Sequence, residues 1–433
     1  MLFAMGFLNA GNYGFTVLVA RILPPDRFAA YAILYGAVTL LAVPANVLRL
    51  AIIRLATQNV GRSEENAISA ELMALRRNLL AWVLAGGTVL LFLVTLSLFT
   101  VTRGANVSSY LLAGFAGIIT FTLYLDRGFL QGGLRFSWVA LTVLAEVGGR
   151  LGFLLLLALV LNTGLVGTMA ALLAGALLAN AVSARMLGRC AATRAEREPA
   201  TGGQKSPARM LLGYSAIMMA AYLAHSGLRW LDLLAVRCLF PGEVAGQYAA
   251  LSFAGKIILF ASLGITETLF TFANKAHWRQ EAGEPLLARA LLLTAAVGLP
   301  ILLLYAAAPD AVLKYGFGAS YTGLASSLWI MGLFMFLLSL SAVLIAYMLA
   351  SGMARGALAA STAAVALEVT LFLVFHDSIR AILLSLCTMA AFYFAALSAL
   401  IVWNSIRSSV TATPKAIREL EVRGEASVSC TPR

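Results

Sequence analysis

The stretch Ala325–Ala350, ASSLWIMGLFMFLLSLSAVLIAYMLA, decides the fold class of this chain. It runs for 26 residues without one charged side chain. An α-helix needs only about 20 apolar residues to cross the hydrocarbon core of a bilayer. Comparable stretches recur along the sequence, so we predict a chain that crosses a membrane many times.

The composition agrees with this prediction. Of the 433 residues, 61% are hydrophobic and 12% are charged, and the mean hydropathy is +0.90. Soluble domains carry about 25% charged residues, so roughly half of the usual charge is missing. The apolar stretches lack the alternation of a membrane β-barrel, which leaves helices as the structure that can satisfy the backbone in lipid. We therefore predict an all-α polytopic integral membrane protein.

Twelve apolar stretches are long enough to span a bilayer, and one polar segment divides them into two sets of six. The first set covers residues 2–22, 28–53, 78–102, 107–125, 137–160 and 164–187. The second set covers residues 210–236, 244–272, 286–307, 325–350, 354–375 and 380–403. We predict four regions on this basis: an N-terminal six-helix half (1–188), a cytoplasmic linker (189–209), a C-terminal six-helix half (210–403) and a cytoplasmic tail (404–433).

The distribution of Lys and Arg predicts the orientation. With the N-terminus placed in the cytoplasm, 21 of the 31 Lys and Arg residues fall on the cytoplasmic side and seven on the other side. Cytoplasmic loops carry an excess of these residues, so both termini are predicted to be cytoplasmic. The net charge of +12 is then spread along loops beside anionic lipid. No basic–aromatic motif accompanies it, and we expect no nucleic-acid partner.

The sequence predicts neither a cofactor nor a metal site. The four cysteines are scattered, with no CxxC pair and no histidine at ligand spacing. No Walker-type phosphate loop occurs, so we expect no ATP hydrolysis by this chain.

A short internal repeat connects the two halves. Leu23–Leu34 reads LPPDRFAAYAIL, and Phe240–Leu251, which begins 217 residues later, reads FPGEVAGQYAAL. Both segments join the first and second spans of a half. Because each half has an even number of spans, the repeat is parallel, about an axis along the membrane normal. This predicts two bundles that face each other across a central cavity.

Several segments resemble a known family. VARILPPDRFAAYAIL (Val19–Leu34) is similar to the opening of the polysaccharide (oligosaccharide) flippases, and Leu313–Phe334 and Met348–Leu358 are similar to their ninth-to-eleventh helices. These flippases belong to the multidrug/oligosaccharidyl-lipid/polysaccharide exporter superfamily. The resemblance implies transport of an undecaprenyl-diphosphate-linked oligosaccharide across the bacterial inner membrane, for O-antigen or exopolysaccharide synthesis. It also implies polysaccharide polymerase and glycosyltransferases as partners.

Ionisable residues within the spans are the candidate site residues, because each costs about 2.5–3.5 kcal/mol at bilayer depth. Arg49 could clamp a phosphate bidentately, or it could extend to the cytoplasmic interface. Lys256 and Glu267, eleven residues apart, share a helix face. Two ionisable groups on one face indicate a water-filled path, although each could instead pair with a neighbouring helix.

Other charged residues have a possible local partner. Glu146 and Arg150 are spaced i, i+4 and could neutralise each other. Arg229 and Asp232 are spaced i, i+3 and could pair in the same way. Arg229 also lies 217 residues after Asn12, so the repeat places a polar residue at this position in both halves.

Glu368 has no local cation, and we regard it as a candidate for ion coupling. The cations Arg49, Lys256, Arg150 and Arg229 are predicted to line the cavity and to hold a diphosphate or an acidic sugar. Glu146, Asp232, Glu267, Asn12 and Glu368 are predicted cavity or ion-coupling residues.

Three other functions compete with a flippase that works by alternating access. A drug/cation antiporter predicts a mainly acidic cavity, whereas the deep charges here lean cationic. A membrane glycosyltransferase or ligase needs a catalytic acid or base on a large external loop, and the longest such connection, residues 309–324, carries only Asp310 and Lys314. A scaffold of a polysaccharide-assembly complex is the third alternative.

Overall fold

The computed structural model describes residues 2–59, 76–78, 80–81, 85–87, 97, 99–100, 106–132, 135–159, 163–192, 207–278 and 283–428. Most of the third predicted span and residues 193–206 of the predicted linker lie outside this set. The regular structure of the described residues is helical. The helices are α1 (Leu2–Ile22), α2 (Pro25–Asn59), α3 (Val107–Gly132), α4 (Phe136–Leu159), α5 (Gly164–Ala192), α6 (Pro207–Gly227), α7 (Leu231–Leu239), α8 (Gly242–Trp278), α9 (Glu284–Ala307), α10 (Pro309–Gly316), a 3-10 helix (Ala319–Ser327), α11 (Leu328–Ala350), α12 (Ala354–Val374) and α13 (Ile379–Val428).

Nine helices among the described residues are long and apolar enough to cross a membrane. The most apolar of these candidate spans, with a hydropathy of 2.5, includes α11, whose residues form the stretch that predicted the fold class. Ser339 and Ser341 on this helix are buried, and their hydroxyl groups donate to backbone carbonyls of the same helix. The prediction of an all-α polytopic membrane protein is confirmed.

The seventh predicted span, 210–236, is not one continuous helix. Helix α6 ends at Gly227, the next three residues form a turn, and α7 begins at Leu231. The Trp230 amide still bonds to the Gly227 carbonyl, at 2.8 Å. Irregular backbone at membrane depth is tolerated where it is buried in protein or lines a cavity. The turn meets this condition, because the Trp230 ring lies against Gly36 of α2, where any side chain would collide with it.

The two copies of the internal repeat lie against each other. They form the turns that lead into α2 and α8, the two long helices at the interface between the halves. A Cβ atom on Gly246 would overlap the carbonyl group of Pro25, so glycine is what permits this close backbone approach. We call this end of the bundle the Pro25 end, and the opposite end the Arg49 end.

Polar contacts and a group of aromatic rings close the Pro25 end. The Tyr321 hydroxyl donates to the Leu23 carbonyl at 2.9 Å, and Arg21 donates to the Tyr315 carbonyl. Below these contacts, rings from both halves pack in stacked, tilted or edge-to-face pairs, with centroids 5.4–6.5 Å apart. This aromatic cluster consists of Phe15, Phe28, Tyr31, Tyr35, Trp230, Phe253, Phe317 and Tyr321. It seals one end of the space between the halves.

Candidate functional site

A cavity of about 280 Å³ lies between the halves, on the far side of the aromatic cluster from the Pro25 end. Its walls come from α1, α2, α3 and α4 of the N-terminal half and from α6, α8 and the turn between α6 and α7 of the C-terminal half. Both halves therefore contribute to one site. A relative movement of the halves would change its shape and its access.

The charge of the cavity is mainly positive. Four cationic side chains line it, and in the described lining they face a single acidic side chain, Glu267. The cations are Arg49, Arg127, Arg229 and Lys256. A cavity with this composition favours an anionic ligand over a cationic one.

The cations lie at two depths. Arg49 lies 24 residues after Pro25 on α2, which at 1.5 Å per residue is about 36 Å from the Pro25 end. Glu267 on α8 has a similar depth. Lys256 lies 14 residues into α8, about 21 Å from the Pro25 end. Arg229 lies ten residues before the end of α7, which is also at the Pro25 end, and is therefore about 15 Å from it. The site therefore has one charged level near the Arg49 end and another near the middle of the bundle.

Arg49 is buried and held in place by polar neighbours. Its Nε donates to Asn46 Oδ1 at 2.9 Å, and its Nη1 donates to Gln131 Oε1 at 3.1 Å. Its Nη2 lies 3.9 Å from Glu267 Oε1, across the interface between the halves. The Glu267 side chain is 48% exposed, so this ion pair is weak. The guanidinium is thus oriented without being neutralised by a tightly bound partner.

Lys256 lies beneath an aromatic ring. Its Nζ donates to Ser252 Oγ at 2.9 Å and lies 3.9 Å from the centre of the Trp230 ring. A cation over an indole face is attracted by the ring quadrupole. Lys256 has no exposed surface, so it contributes its field to the cavity while Trp230 covers it.

Arg229 is the cation at mid-depth whose head group is least satisfied. Its Nη2 donates to Ser226 Oγ at 2.7 Å, while its Nε is buried without a hydrogen-bond partner. Within the part of the chain that the structure describes, no carboxylate lies within ion-pair distance of it. The pairing of Arg229 with Asp232 that their spacing suggested does not form, because the helix breaks between them.

Arg150 and Glu146 belong to a buried network behind the cavity wall. The Glu146 carboxylate accepts hydrogen bonds from Arg127, at 2.7 Å, and from Arg150. Arg150 also donates to Asn12 Oδ1 at 2.6 Å. Asn12 and Arg127 line the cavity, whereas Arg150 and Glu146 do not. Arg150 therefore contacts the cavity lining only indirectly, through its hydrogen bond to Asn12 and through Glu146, which it shares with Arg127.

Asp232 and Glu368 are buried inside the C-terminal half, away from the cavity lining. Asp232 Oδ2 accepts hydrogen bonds from Tyr248, at 2.9 Å, and from Ser252, at 3.3 Å. Because Ser252 also accepts from Lys256, Asp232 balances part of that cation's charge. Both Glu368 carboxylate oxygens are buried without a hydrogen-bond partner in the described structure.

A family model described as "Polysaccharide biosynthesis protein" matches residues 2–252, more than half of the chain. The chain belongs to this family. The match includes residues 2–188 of the N-terminal half, the first predicted span of the C-terminal half and the beginning of the second. It therefore contains three of the four cations, Arg49, Arg127 and Arg229, and both copies of the internal repeat, whereas Lys256 lies just beyond it. No match was found among curated protein sequences.

Several solved structures share the fold of this chain. A multidrug resistance MATE family transporter of the MOP superfamily, in an inward-facing conformation, matches with a TM-score of 0.73 and 13% identity over 94% of this chain and 96% of that chain. A MOP superfamily transporter from Pyrococcus furiosus matches with a TM-score of 0.70 and 15% identity over 94% of each chain. An outward-facing MATE transporter matches with a TM-score of 0.69 and 15% identity, over 95% of this chain and 94% of that chain. Family and fold together favour a membrane transporter over an enzyme.

Two features of the site differ from what the sequence predicts. The fourth predicted span ends at residue 125 and leaves Arg127 outside the membrane, whereas α3 continues to Gly132. Asp126 and Arg127 suggest a loop, but both are buried and paired. The helix break at residues 228–230 was also missed. The Ser226–Gly227 pair beside a polar residue was the available signal for it.

Proposed function

We propose that this protein moves a polyprenyl-diphosphate-linked oligosaccharide across the bacterial cytoplasmic membrane by alternating access. The product would serve O-antigen or exopolysaccharide synthesis. The observation that carries the proposal is the cavity between the halves, where four cations face one carboxylate. A diphosphate with its attached glycan needs a polar, cationic path through the membrane, and membership of a polysaccharide biosynthesis family supports this type of substrate.

The charge of the cavity argues against a drug/cation antiporter. Such a transporter needs acidic groups to hold its cationic ligand, and the described lining has only Glu267. The Pyrococcus furiosus transporter with this fold is described as having a binding pocket of reverse polarity, which suggests a different function for that protein. Pocket charge therefore varies within the fold and is a better guide to the ligand than the fold itself.

The contacts between the halves support an inward-open resting state. The Pro25 end is closed by the repeat turns and the aromatic cluster, whereas at the Arg49 end a weak ion pair joins α2 to α8. With both termini in the cytoplasm, as we propose, the Arg49 end faces the cytoplasm.

The lipid-linked oligosaccharide would enter at the Arg49 end, after glycosyltransferases complete it, and a polymerase would use it on the other side of the membrane. The two six-helix halves at 1–188 and 210–403 would be the moving parts, without a cofactor.

Reporter fusions test the proposed orientation. Fusions after Arg194 and at the end of the tail are expected to give cytoplasmic signals, whereas a fusion at Asp310 is expected to give a periplasmic signal. The reason is that most Lys and Arg residues lie on the side that we assign to the cytoplasm. Paired alkaline phosphatase and green fluorescent protein fusions measure this. Phosphatase activity from the Arg194 fusion would refute both the orientation and the division into two six-helix halves.

Substitution of Arg49 tests the cationic cavity. Arg49→Ala is expected to lower the flipping rate at least about tenfold, because one charge-assisted hydrogen bond to phosphate contributes about 1.5–3 kcal/mol. Arg49→Lys should restore only part of the rate, since an ammonium group cannot form the bidentate contact. Flipping of a polyprenyl-diphosphate oligosaccharide in proteoliposomes measures both effects.

Arg185→Ala is the matched control, because Arg185 is exposed on α5 and lies outside the cavity lining. It should transport at the wild-type rate. Normal transport by Arg49→Ala would assign Arg49 a structural role and remove the phosphate clamp from the proposal.

A further inference from the structure

We propose that the transported glycan is acidic and that Arg229 binds a carboxylate on one of its sugars while the diphosphate stays near Arg49. This inference rests on the proposed function and specifies its substrate. It is carried by the separation of the two cationic levels and by the absence of a carboxylate beside Arg229 in the described structure.

Depth separates the two anionic parts of such a substrate. The diphosphate is joined to a lipid tail that lies in one leaflet, so in the loading state it stays near head-group level. The hydrocarbon core is about 30 Å thick, and Arg49 lies about 36 Å along α2 from the Pro25 end, at that level. Arg229 lies about 20 Å deeper by the same measure. Only the glycan, which extends from the diphosphate into the cavity, reaches Arg229 at this stage.

The four arginines at or behind the cavity wall differ in how their charge is balanced. Arg127 and Arg150 share the Glu146 carboxylate, and Arg49 lies near Glu267. Among the described residues, Arg229 donates only to the Ser226 hydroxyl group and keeps a buried Nε without a hydrogen-bond partner. A guanidinium at membrane depth without a counter-ion is costly. A ligand carboxylate would supply the missing acceptors and would form the bidentate geometry that arginine favours.

The surroundings of Arg229 suit a sugar. Tyr222 and Ser226 line the cavity on the preceding two turns of α6, Trp230 follows, and Asn12 faces them from α1. Hydroxyl, amide and indole groups together provide hydrogen bonds and an apolar surface in one place. The Lys256 ammonium behind Trp230 adds positive potential, part of which Asp232 offsets through Ser252. In the repeat-related position of the other half, the neutral Asn12 replaces Arg229, so the acidic sugar is held by the C-terminal half.

Transport of two matched lipids tests the proposal. Both carry the same polyprenyl diphosphate and the same glycan backbone, but one contains glucuronate where the other contains glucose. Flipping in proteoliposomes is measured by loss of glycan accessibility to an external glycosidase. Wild-type protein is expected to flip the glucuronate lipid at least about tenfold faster than the glucose lipid. In Arg229→Gln this ratio should fall to about one, whereas Arg49→Gln should slow both lipids and keep the ratio.

Binding of a lipid-free glucuronate oligosaccharide gives a second measurement, which does not depend on transport. It should raise the melting temperature of wild-type protein and of Arg49→Gln, but not that of Arg229→Gln. If the glutamine variant does not fold, Arg229→Lys replaces it in both assays. The ratio of the two flipping rates for Arg229→Lys should be lower than the wild-type ratio but greater than one.

The outcomes separate the two proposals. A wild-type ratio near one, or an Arg229 variant that keeps the wild-type ratio, would overturn the acidic-glycan proposal and leave the flippase function intact. Equal slowing of both lipids by Arg229→Gln, with the ratio unchanged, would assign Arg229 to the diphosphate during transit. If wild-type protein flips neither lipid, the proposed function fails, and this inference fails with it.

Discussion

Glu146→Gln is expected to lower the free energy of unfolding by about 3–5 kcal/mol, the cost of breaking a buried ion pair by removing one partner. Glu146 is the carboxylate that both Arg127 and Arg150 contact, and all three side chains are buried. A glutamine amide cannot balance two guanidinium charges inside the N-terminal half. A large fall in melting temperature, measured in detergent, and a low yield of folded protein should follow.

Glu267→Gln is the control for this prediction. It also removes a carboxylate near an arginine, but this carboxylate is half-exposed and lies 3.9 Å from its partner, where ion pairs contribute about 0–1 kcal/mol. Adding Arg150→Gln to Glu146→Gln should recover part of the lost stability, because one unpaired charge is removed. Equal melting temperatures for the Glu146 and Glu267 variants would show that the network does not stabilise the fold.

Gly246→Ala is expected to shift the protein away from the state that is closed at the Pro25 end. The added methyl group would overlap the Pro25 carbonyl, and overpacking of this kind costs about 1–3 kcal/mol. At about 1.4 kcal/mol for each factor of ten, the closed population should fall by about 5- to 140-fold relative to open states. Spin labels at the exposed positions Arg27 and Glu243, in a background without native cysteines, would report a longer distance across this end.

The matched control for this prediction is Gly152→Ala on α4. It adds the same methyl group where no heavy atom lies within 4 Å, so the label distance should stay at the wild-type value. A Gly246→Ala protein with the wild-type distance would mean that the repeat turns do not hold the closed state.

The fold class was predictable because a helix that spans a bilayer needs a long apolar stretch, such as the one that forms α11, and such stretches are visible in the sequence. The repeat was informative as well, since its two copies meet in the structure at the Pro25 end. Asn12 and Arg229, which the repeat relates, both line the cavity. Local patterns carry this information, because spans and turns are set by residues near each other in sequence.

The partners of the charged residues were much less predictable. The i, i+4 spacing of Glu146 and Arg150 correctly suggested an ion pair, because both lie on one unbroken helix. The i, i+3 spacing of Arg229 and Asp232 was misleading, because it assumed a continuous helix where the chain turns. Arg127 joins Glu146 from another helix, and no spacing along the chain can reveal a contact between helices. Tertiary packing decides such contacts.

The break between α6 and α7 has a mechanical consequence. An unbroken helix transmits torque and tilt from one membrane surface to the other, as α1 can. We expect the turn at residues 228–230 to weaken this transmission between the two segments that it joins. Helix α7 is fastened to α8 by the bonds from Tyr248 and Ser252 to Asp232, so we expect α7 to move with α8 and α6 to tilt separately. The first spans of the two halves therefore differ in continuity, and Arg229 lies at the break, where we expect a bound ligand to change the angle between α6 and α7.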